Sequence, residues 1–187
     1  LCESIGADWY EIMPALKLDK RIGEHAYLTP GLGIAGGNLE RDLATIGNLG
    51  REAGTEVGVV DAFLANSLYR RDWVLRTINS AVLANYKDPS FGIWGLAYKA
   101  NTKSTKNSPA LALLRSLDGF SIKGYDPTVK LASSSHFSCC SSAIKACDAV
   151  HALIIMTPWE EFSSIDLLKI KESMSGDLII DPYRVLD

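Results

Sequence analysis

Gly31-Leu32-Gly33-Ile34-Ala35-Gly36-Gly37 packs four glycines and one alanine into seven positions, and Asn38-Leu39-Glu40-Arg41-Asp42 follows at once. Glycine opens positive φ and lets another molecule approach the backbone. Asn38 suits a helix N-cap, and Leu43, Ile46 and Leu49 continue at helical spacing. A glycine loop feeding a helix N-terminus is a seat for an anion or polar ligand, because free N–H groups and the dipole point outward. Gly31, Gly33 and Gly36 also spell G-x-G-x-x-G. The dinucleotide fingerprint, however, needs a buried strand just before it and an acidic residue about 20 positions on. His25 to Pro30 makes a poor strand, and helix follows the loop. Three readings stand: a dinucleotide loop, a plain glycine turn, and a substrate loop of another kind, which is preferred.

Three more polar or aromatic clusters follow apolar runs: Tyr98-Lys99-Ala100-Asn101-Thr102, Tyr125-Asp126-Pro127 and Thr157-Pro158-Trp159. The runs before them read as buried parallel strands over Phe91–Tyr98, Phe120–Tyr125 and Val150–Met156, with a last strand over Leu178–Asp181. Helices are expected between them at Pro109–Leu117 and Ser141–Cys147, with one or two over Trp159–Met174, the first opened by Ser108 with Pro109 at N1. Alternating strands and helices mean a parallel α/β sheet with right-handed crossovers. In such sheets ligands bind beyond the carboxyl ends of the strands, where these clusters stand. A buried structural role for any one of them is the plain alternative.

Upstream, a helix over residues 1–18 carries Leu1, Ile5, Trp9, Ile12 and Met13 on one stripe, with a break at Gly6. A second helix runs over 38–53 and ends at Gly54. A long connecting helix spans Val57 to Asn85, with Val60, Phe63, Leu64 and Leu68 toward a core and Arg70-Arg71-Asp72 outward. The fold expected is α/β, a helical central segment followed by a Rossmann-like parallel sheet domain. Its divisions are 1–55, a connecting helix over 56–88, and 89–187 as the Rossmann-like sheet domain.

The 187 residues carry 19 basic and 22 acidic side chains, a net charge of −3. That leaves no basic field for nucleic acid and no polybasic membrane patch. No apolar run approaches the roughly 18 residues of a membrane span. Cys2, Cys139, Cys140 and Cys147 form no C-x-x-C pair, and Cys140 and Cys147 share a helix face by spacing. They read as reduced thiols of a cytoplasmic protein. No metal site is expected, since His25, His136 and His151 lack ligand spacing. The chain begins inside a helix and reads as a fragment of something longer.

On these residues the chain resembles the UDP-glucose/GDP-mannose dehydrogenase family. Arg21-Ile22-Gly23, Pro30, the glycine loop and Leu39-Glu40-Arg41-Asp42 resemble its catalytic loop, R-I-G…G-F-G-G-x-C-x-x-K-D. Gly95–Lys99 resembles its G-x-A-F-K, Tyr125-Asp126-Pro127 its Y-D-P, and Thr157–Phe162 its T-x-W-x-E-F. Asp181–Leu186 resembles the terminal D-G-R-x-x-L. The resemblance implies the central and C-terminal part of a dimeric enzyme of polysaccharide biosynthesis that acts on a nucleoside-diphosphate sugar. Its NAD would be bound mainly by an N-terminal domain outside this sequence.

Carried over by position, Asn38 stands where the family has its nucleophilic Cys, and Asp42 keeps the family's Asp. Thr29, Pro30, Gly31, Leu32, Gly33, Ile34 and Ala35 would cradle sugar and phosphates through backbone groups. Arg21 would reach the nucleotide sugar of the other protomer, a surface ion pair being the alternative. Tyr98 and Lys99 would contact the sugar nucleotide. Arg184, beside Tyr183 at the family's terminal Arg, would do the same. Arg41 replaces a Lys near the cofactor. Lys106 replaces an Arg that approaches NAD, keeping the charge and losing the bidentate fork. The family oxidises an alcohol to an acid in two hydride transfers through a thiohemiacetal and a thioester, which needs a thiolate. An amide at Asn38 forms no such adduct, though it can hold an oxyanion or a water. The expectation is therefore a single oxidation, or a catalytically silent sugar-nucleotide-binding or dimer-assembly protein.

Overall fold

The computed structural model describes residues 2–186. Leu1, assigned from sequence to the first helix, lies outside them. The chain divides into two compact units, one up to Pro30 and one from Gly31 onward.

In the first unit the expected single helix is two. α1 (Cys2–Ile5) stops at Gly6, whose φ is 71°, and α2 (Trp9–Leu18) restarts behind Asp8. The Asp8 carboxylate caps α2 by accepting from the Tyr10 N–H at 2.8 Å. Residues after α2 fold back along it, and the Trp9 indole donates to the Leu28 carbonyl at 2.9 Å.

The second unit opens with the glycine loop and a helical pair, α3 (Leu39–Glu52) and α4 (Gly58–Arg71). The expected long helix after residue 57 breaks at Asp72. It resumes as α5 (Trp73–Ile78) and a π-helical turn, Asn79–Leu83. The stripe assigned to a core behaves differently from expectation. Phe63 and Leu68 are 57% and 54% exposed, and the buried residue of α4 is Ser67.

The sheet has five parallel strands in the order β3-β2-β1-β4-β5. They are β1 (Ser90–Trp94), β2 (Ser121–Tyr125), β3 (Phe137–Cys139), β4 (Ala152–Ile155) and β5 (Leu178–Ile180). Four match expected runs, though β1 ends at Trp94 and not at Tyr98. β3 was not expected, because three residues beside a serine run carry no apolar pattern. Its outer edge is closed by that run: the Ser134 hydroxyl accepts from the Phe137 N–H, and the Ser133 hydroxyl from the Cys139 N–H.

Helices α6 (Pro109–Ser116), α7 (Ala143–Cys147), α8 (Glu160–Ser163) and α9 (Leu167–Ser173) connect the strands. Alternation along β1 assigns the faces. Trp94 turns toward α7, donating its indole N–H to the Ala143 carbonyl at 2.8 Å, and its ring meets Phe162 of α8 at 5.0 Å. Phe91 and Ile93 point to the opposite face, where Phe91 meets Phe120 edge-on and α5 packs on α6. Phe91, Ile93, Leu153, Ile154 and Ile155 are fully buried, as a sheet covered on both faces requires.

Gly92 shares the α7 face, and a Cβ there would stand 2.5 Å from the Ala146 carbonyl oxygen. Gly92→Ala is therefore expected to lift α7 from the sheet and cost about 1–3 kcal/mol. The measurement is urea unfolding, with a lowered midpoint at unchanged slope.

Candidate functional site

The carboxyl end of the sheet is organised by one carboxylate. Asp126, directly after β2, is fully buried. Its Oδ2 accepts from the Leu96 N–H at 2.7 Å, the Ala97 N–H at 3.0 Å and the Trp159 indole at 3.1 Å. Its Oδ1 accepts from the N–H groups of Thr128 and Val129, both at 2.8 Å, and from the Thr128 hydroxyl. Burial pushes its pKa up, but the four backbone donors outweigh burial and hold the carboxyl below its ordinary value. Asp126 is thus the clamp of the strand ends and has no lone pair left for a ligand. Thr157, also buried, donates to the Ala97 carbonyl at 2.7 Å.

The loop after β1 is folded on itself above this clamp. The Tyr98 N–H donates to the Ser104 carbonyl, and Ser108 donates its hydroxyl to the Leu96 carbonyl at 2.8 Å. Ser108 does precede α6 with Pro109 at N1, but its side chain serves the loop and makes no capping bond. Lys99 is exposed, with its ammonium 5.6 Å from the centre of the Tyr98 ring. At the end of β2, burial first, and then a hydrogen bond with Glu161, push the Tyr125 phenol up to about 12. Lys130 lies 4.9 Å from that ring and donates to the Asp126 carbonyl.

The glycine loop lies between α4 and the loop after β1. On one side α4 grips its backbone. The Ile34 N–H donates to the Ser67 hydroxyl at 2.7 Å, Arg71 donates to the Ile34 carbonyl at 3.1 Å, and Arg70 donates to the Gly31 carbonyl at 3.1 Å. Gly33, at φ 83°, has the Ser67 carbonyl where a Cβ would go, at 2.5 Å. On the other side a Cβ at Gly36 would touch the Tyr98 ring, and one at Gly37 would overlap the end of Lys106. Leu32 is buried beneath the loop. Beyond it, Glu40 accepts from the Asn107 side-chain amide and lies 3.8 Å from Arg71.

Loop residues 31–35, Asn38, Tyr98 and Lys106 are therefore gathered in one region. Asn38, Arg41 and Asp42 are exposed at the start of α3, where Arg41 pairs with Asp42 at 2.8 Å. Asn38 precedes α3 as expected, but its side chain makes no capping bond. Arg184 is exposed at φ 53°, after an Asp181 carboxylate that accepts from the N–H groups of Tyr183, Val185 and Leu186. Arg21, Thr29 and Pro30 belong to the first unit. There Arg21 pairs with Asp19 at 2.5 Å, and that hydrogen bond holds the Asp19 carboxyl below its ordinary value.

Ser67, Arg70, Arg71, Glu40 and Asn107 were not singled out by sequence. The outward placing of Arg70 and Arg71 is corrected: Arg71 is 17% exposed and faces the loop. Adjacent arginines, the second four residues after a serine, in a helical stretch were the available signal, and the sequence does not say that this side is covered. The shared helix face of Cys140 and Cys147 is also corrected, because α7 starts at Ala143 and only Cys147 lies on it. Burial pushes the Cys147 thiol up to about 12 and raises Cys140 as well. All four cysteines are free, and no His/Cys/Asp/Glu cluster suits a metal among the described residues. No helix among them is long and apolar enough to cross a membrane. A cavity of about 270 Å³ lies elsewhere, lined by Leu114, Leu117, Ile122, His136 and Phe137, near where β2 and β3 begin.

A parallel sheet in this order, with polar loops gathered at its carboxyl ends, defines a doubly wound, Rossmann-like α/β protein, a class that binds ligands at those ends. Residues 92–187 match the UDP-glucose/GDP-mannose dehydrogenase family, UDP binding domain, and residues 1–67 match its central domain. The chain belongs to that family. The UDP-glucose 6-dehydrogenase of Rickettsia bellii is 30% identical over all of this chain and 44% of its own length. That of Rattus norvegicus is 30% identical over all of this chain and 42% of its own. The UDP-D-ManNAc dehydrogenase structure from Pyrococcus horikoshii superposes with a TM-score of 0.80 at 26% identity, over 98% of this chain and 42% of its own. The chain thus spans less than half the length of the curated relatives it matches.

Replacing Asp126 by Asn puts an amide N–H against N–H donors. Asp126→Asn is expected to destabilise the protein by about 3 kcal/mol. Because the folded pKa lies below the ordinary 3.8, the carboxylate's stabilisation is present above pH 3.8 and is lost as pH falls through the folded value. Urea midpoints measured down the acid limb should fall for the native protein, with this share of the fall missing in Asp126→Asn.

Proposed function

We propose that this chain is the active-site-loop and nucleotide-sugar-binding part of an NAD-dependent nucleotide-sugar dehydrogenase. The observation that carries this reading is the seating of the glycine loop directly against Tyr98 and Lys106 at the carboxyl end of the sheet. A nucleoside diphosphate needs an exposed cation beside backbone groups, and Lys99 supplies the charge. With the Gly31 carbonyl and both polar groups of Ile34 taken by α4, the remaining backbone groups of loop residues 31–35 would meet the sugar, together with those of Thr29 and Pro30 and, from the other protomer, Arg21. Arg184 adds a further cation for the sugar nucleotide.

Arg41 and Lys106 are exposed and basic beside the loop and the start of α3, and would help to hold NAD, which would supply the hydride acceptor. The residues of this chain orient the sugar and manage protons. Asp42 serves as a base or orients water, although its pairing with Arg41 must yield to do so. Asn38 takes the place of the family's thiol. Its exposed amide, free of capping duty, can donate to an oxyanion but gives no covalent adduct. The reaction proposed is accordingly one oxidation of an alcohol, with no acyl-enzyme step. A homodimer is part of the reading. Leu39, Ile46 and Leu49 of α3 and Val59, Phe63, Leu68 and Tyr69 of α4 are exposed apolar side chains that burial against a second copy would cover. The same exposed side chains suit the second reading, a catalytically silent sugar-nucleotide-binding or dimer-assembly protein.

Titration calorimetry of the full-length protein with UDP, GDP and their sugars tests the ligand class; no heat with any of them removes it. Lys99→Ala should weaken binding by about 1–3 kcal/mol, the scale of a charge-assisted hydrogen bond. An unchanged dissociation constant would return Lys99 to plain surface. Asn38→Cys should create acid-forming activity that thiol alkylation abolishes, since a helix N-terminus favours thiolate. Native protein releasing a uronic acid with two NADH per sugar would overturn the single-oxidation reading, and no NADH at all would favour the silent one.

A further inference from the structure

We infer that Arg71 and Glu40 form a positioning pair that fixes the glycine loop in its sugar-binding shape, an inference that rests on the function proposed above. Arg71 is the last residue of α4, and its guanidinium is 17% exposed. One nitrogen, Nη2, donates to the Ile34 carbonyl at 3.1 Å and lies 3.8 Å from Glu40 Oε1. The other Glu40 oxygen accepts from the Asn107 amide, carried on a residue held at φ 51°. The chain of contacts therefore runs from the middle of the glycine loop, through α4, to the first turn of α3 and on to the loop after β1. It brackets positions 35–39 from both ends. Its members come from three elements that sequence alone does not bring together.

The pair is poorly explained by stability. The Arg71 Nε–H is buried with no hydrogen-bond partner, a cost the position carries. A lysine ammonium would avoid burying that group, but on a shorter stem. What the arginine's reach does is bring one nitrogen, Nη2, to both the Ile34 carbonyl and Glu40. Ser67 holds the N–H of the same Ile34, so this residue is fixed on both polar sides. With Ile34 tied to α4 in this way, the neighbouring loop groups are ordered in advance and cost little ordering on binding.

The pair acts on the sugar end of a ligand and leaves the nucleotide end alone. The test compares affinity for UDP-glucose with affinity for UDP in the full-length protein, together with amide hydrogen exchange over residues 33–38. Arg71→Ala and Glu40→Gln should weaken UDP-glucose about tenfold, leave UDP within twofold, and speed loop exchange at least tenfold. Arg71→Lys should fall between. Arg76→Ala, a stacked residue one turn beyond on α5, is the control and should change neither. Equal weakening of both ligands, or unchanged exchange in Arg71→Ala, overturns the positioning role. Native protein that binds neither ligand refutes the proposed function instead, and the exchange measurement still decides the role of the pair. Native protein that holds UDP-glucose no tighter than UDP removes the sugar-cradle reading.

Discussion

The buried carboxylate of Asp126 is the constraint on which the upper end of the sheet depends. An ionised group with no solvent contact is tolerable only when fully hydrogen-bonded. Here two backbone donors follow β1, two follow Asp126 itself, and an indole follows β4. Each loop is locked because the charge would otherwise lack a partner. The strands beneath are held by apolar burial, which is indifferent to direction. The clamp supplies the direction, setting where the backbone after Ala97 leaves the sheet and so where Tyr98 and Lys99 emerge.

A second set of bonds extends that order to the glycine loop. The composition of residues 31–37 invites a mobile reading, yet Ile34 is held at both its N–H and its carbonyl, and the Gly31 carbonyl is held as well. The glycines serve close approach: Gly33 admits the Ser67 carbonyl, and Gly36 and Gly37 admit Tyr98 and Lys106. Asp72 interrupts the helix directly after Arg71. Cations in the last turn of α4 suit the negative end of its dipole and at the same time reach carbonyls outside the helix.

What the sequence made legible follows from this division of labour. β1, β2, β4 and β5 read directly as apolar runs, because a sheet covered on both faces needs them. The helix starts at Asn38 and Ser108 were readable, as was the stop at Gly54, since each depends on local backbone chemistry. β3 was not, because its pairing comes from β2 and from serine hydroxyls and not from its own residues. The faces of α4 were misassigned for a related reason. Periodicity says which residues share a side, and it cannot say that this side stays open while the polar one is covered. Phe63 and Leu68 outside, with Ser67 and Arg71 inside, invert the usual expectation because the neighbour is a polar backbone loop. Asp126 was noticed as a strand-end polar residue, but only its six acceptor bonds distinguish a clamp from a ligand contact.

The chemistry open to the loop follows from what surrounds position 38. In the second unit the thiols lie at the end of β3 and in α7, and burial raises Cys140 and Cys147 above the ordinary thiol value. None of these replaces a nucleophile at the start of α3. What the loop presents instead is an amide at Asn38, a carboxylate at Asp42 and the cations Arg41 and Lys106. An amide can orient, a carboxylate can accept a proton, and a cation can steady negative charge. In the function proposed above, they would assist removal of the proton from an alcohol whose hydride NAD would accept. A second oxidation would have to proceed through water held by Asn38 and Asp42, since no side chain there can carry an acyl group as a thioester. The loop's rigidity then matters more than it would around a thiolate. A covalent bond fixes its own geometry, whereas an oxyanion or a water is placed only as well as the backbone that holds it.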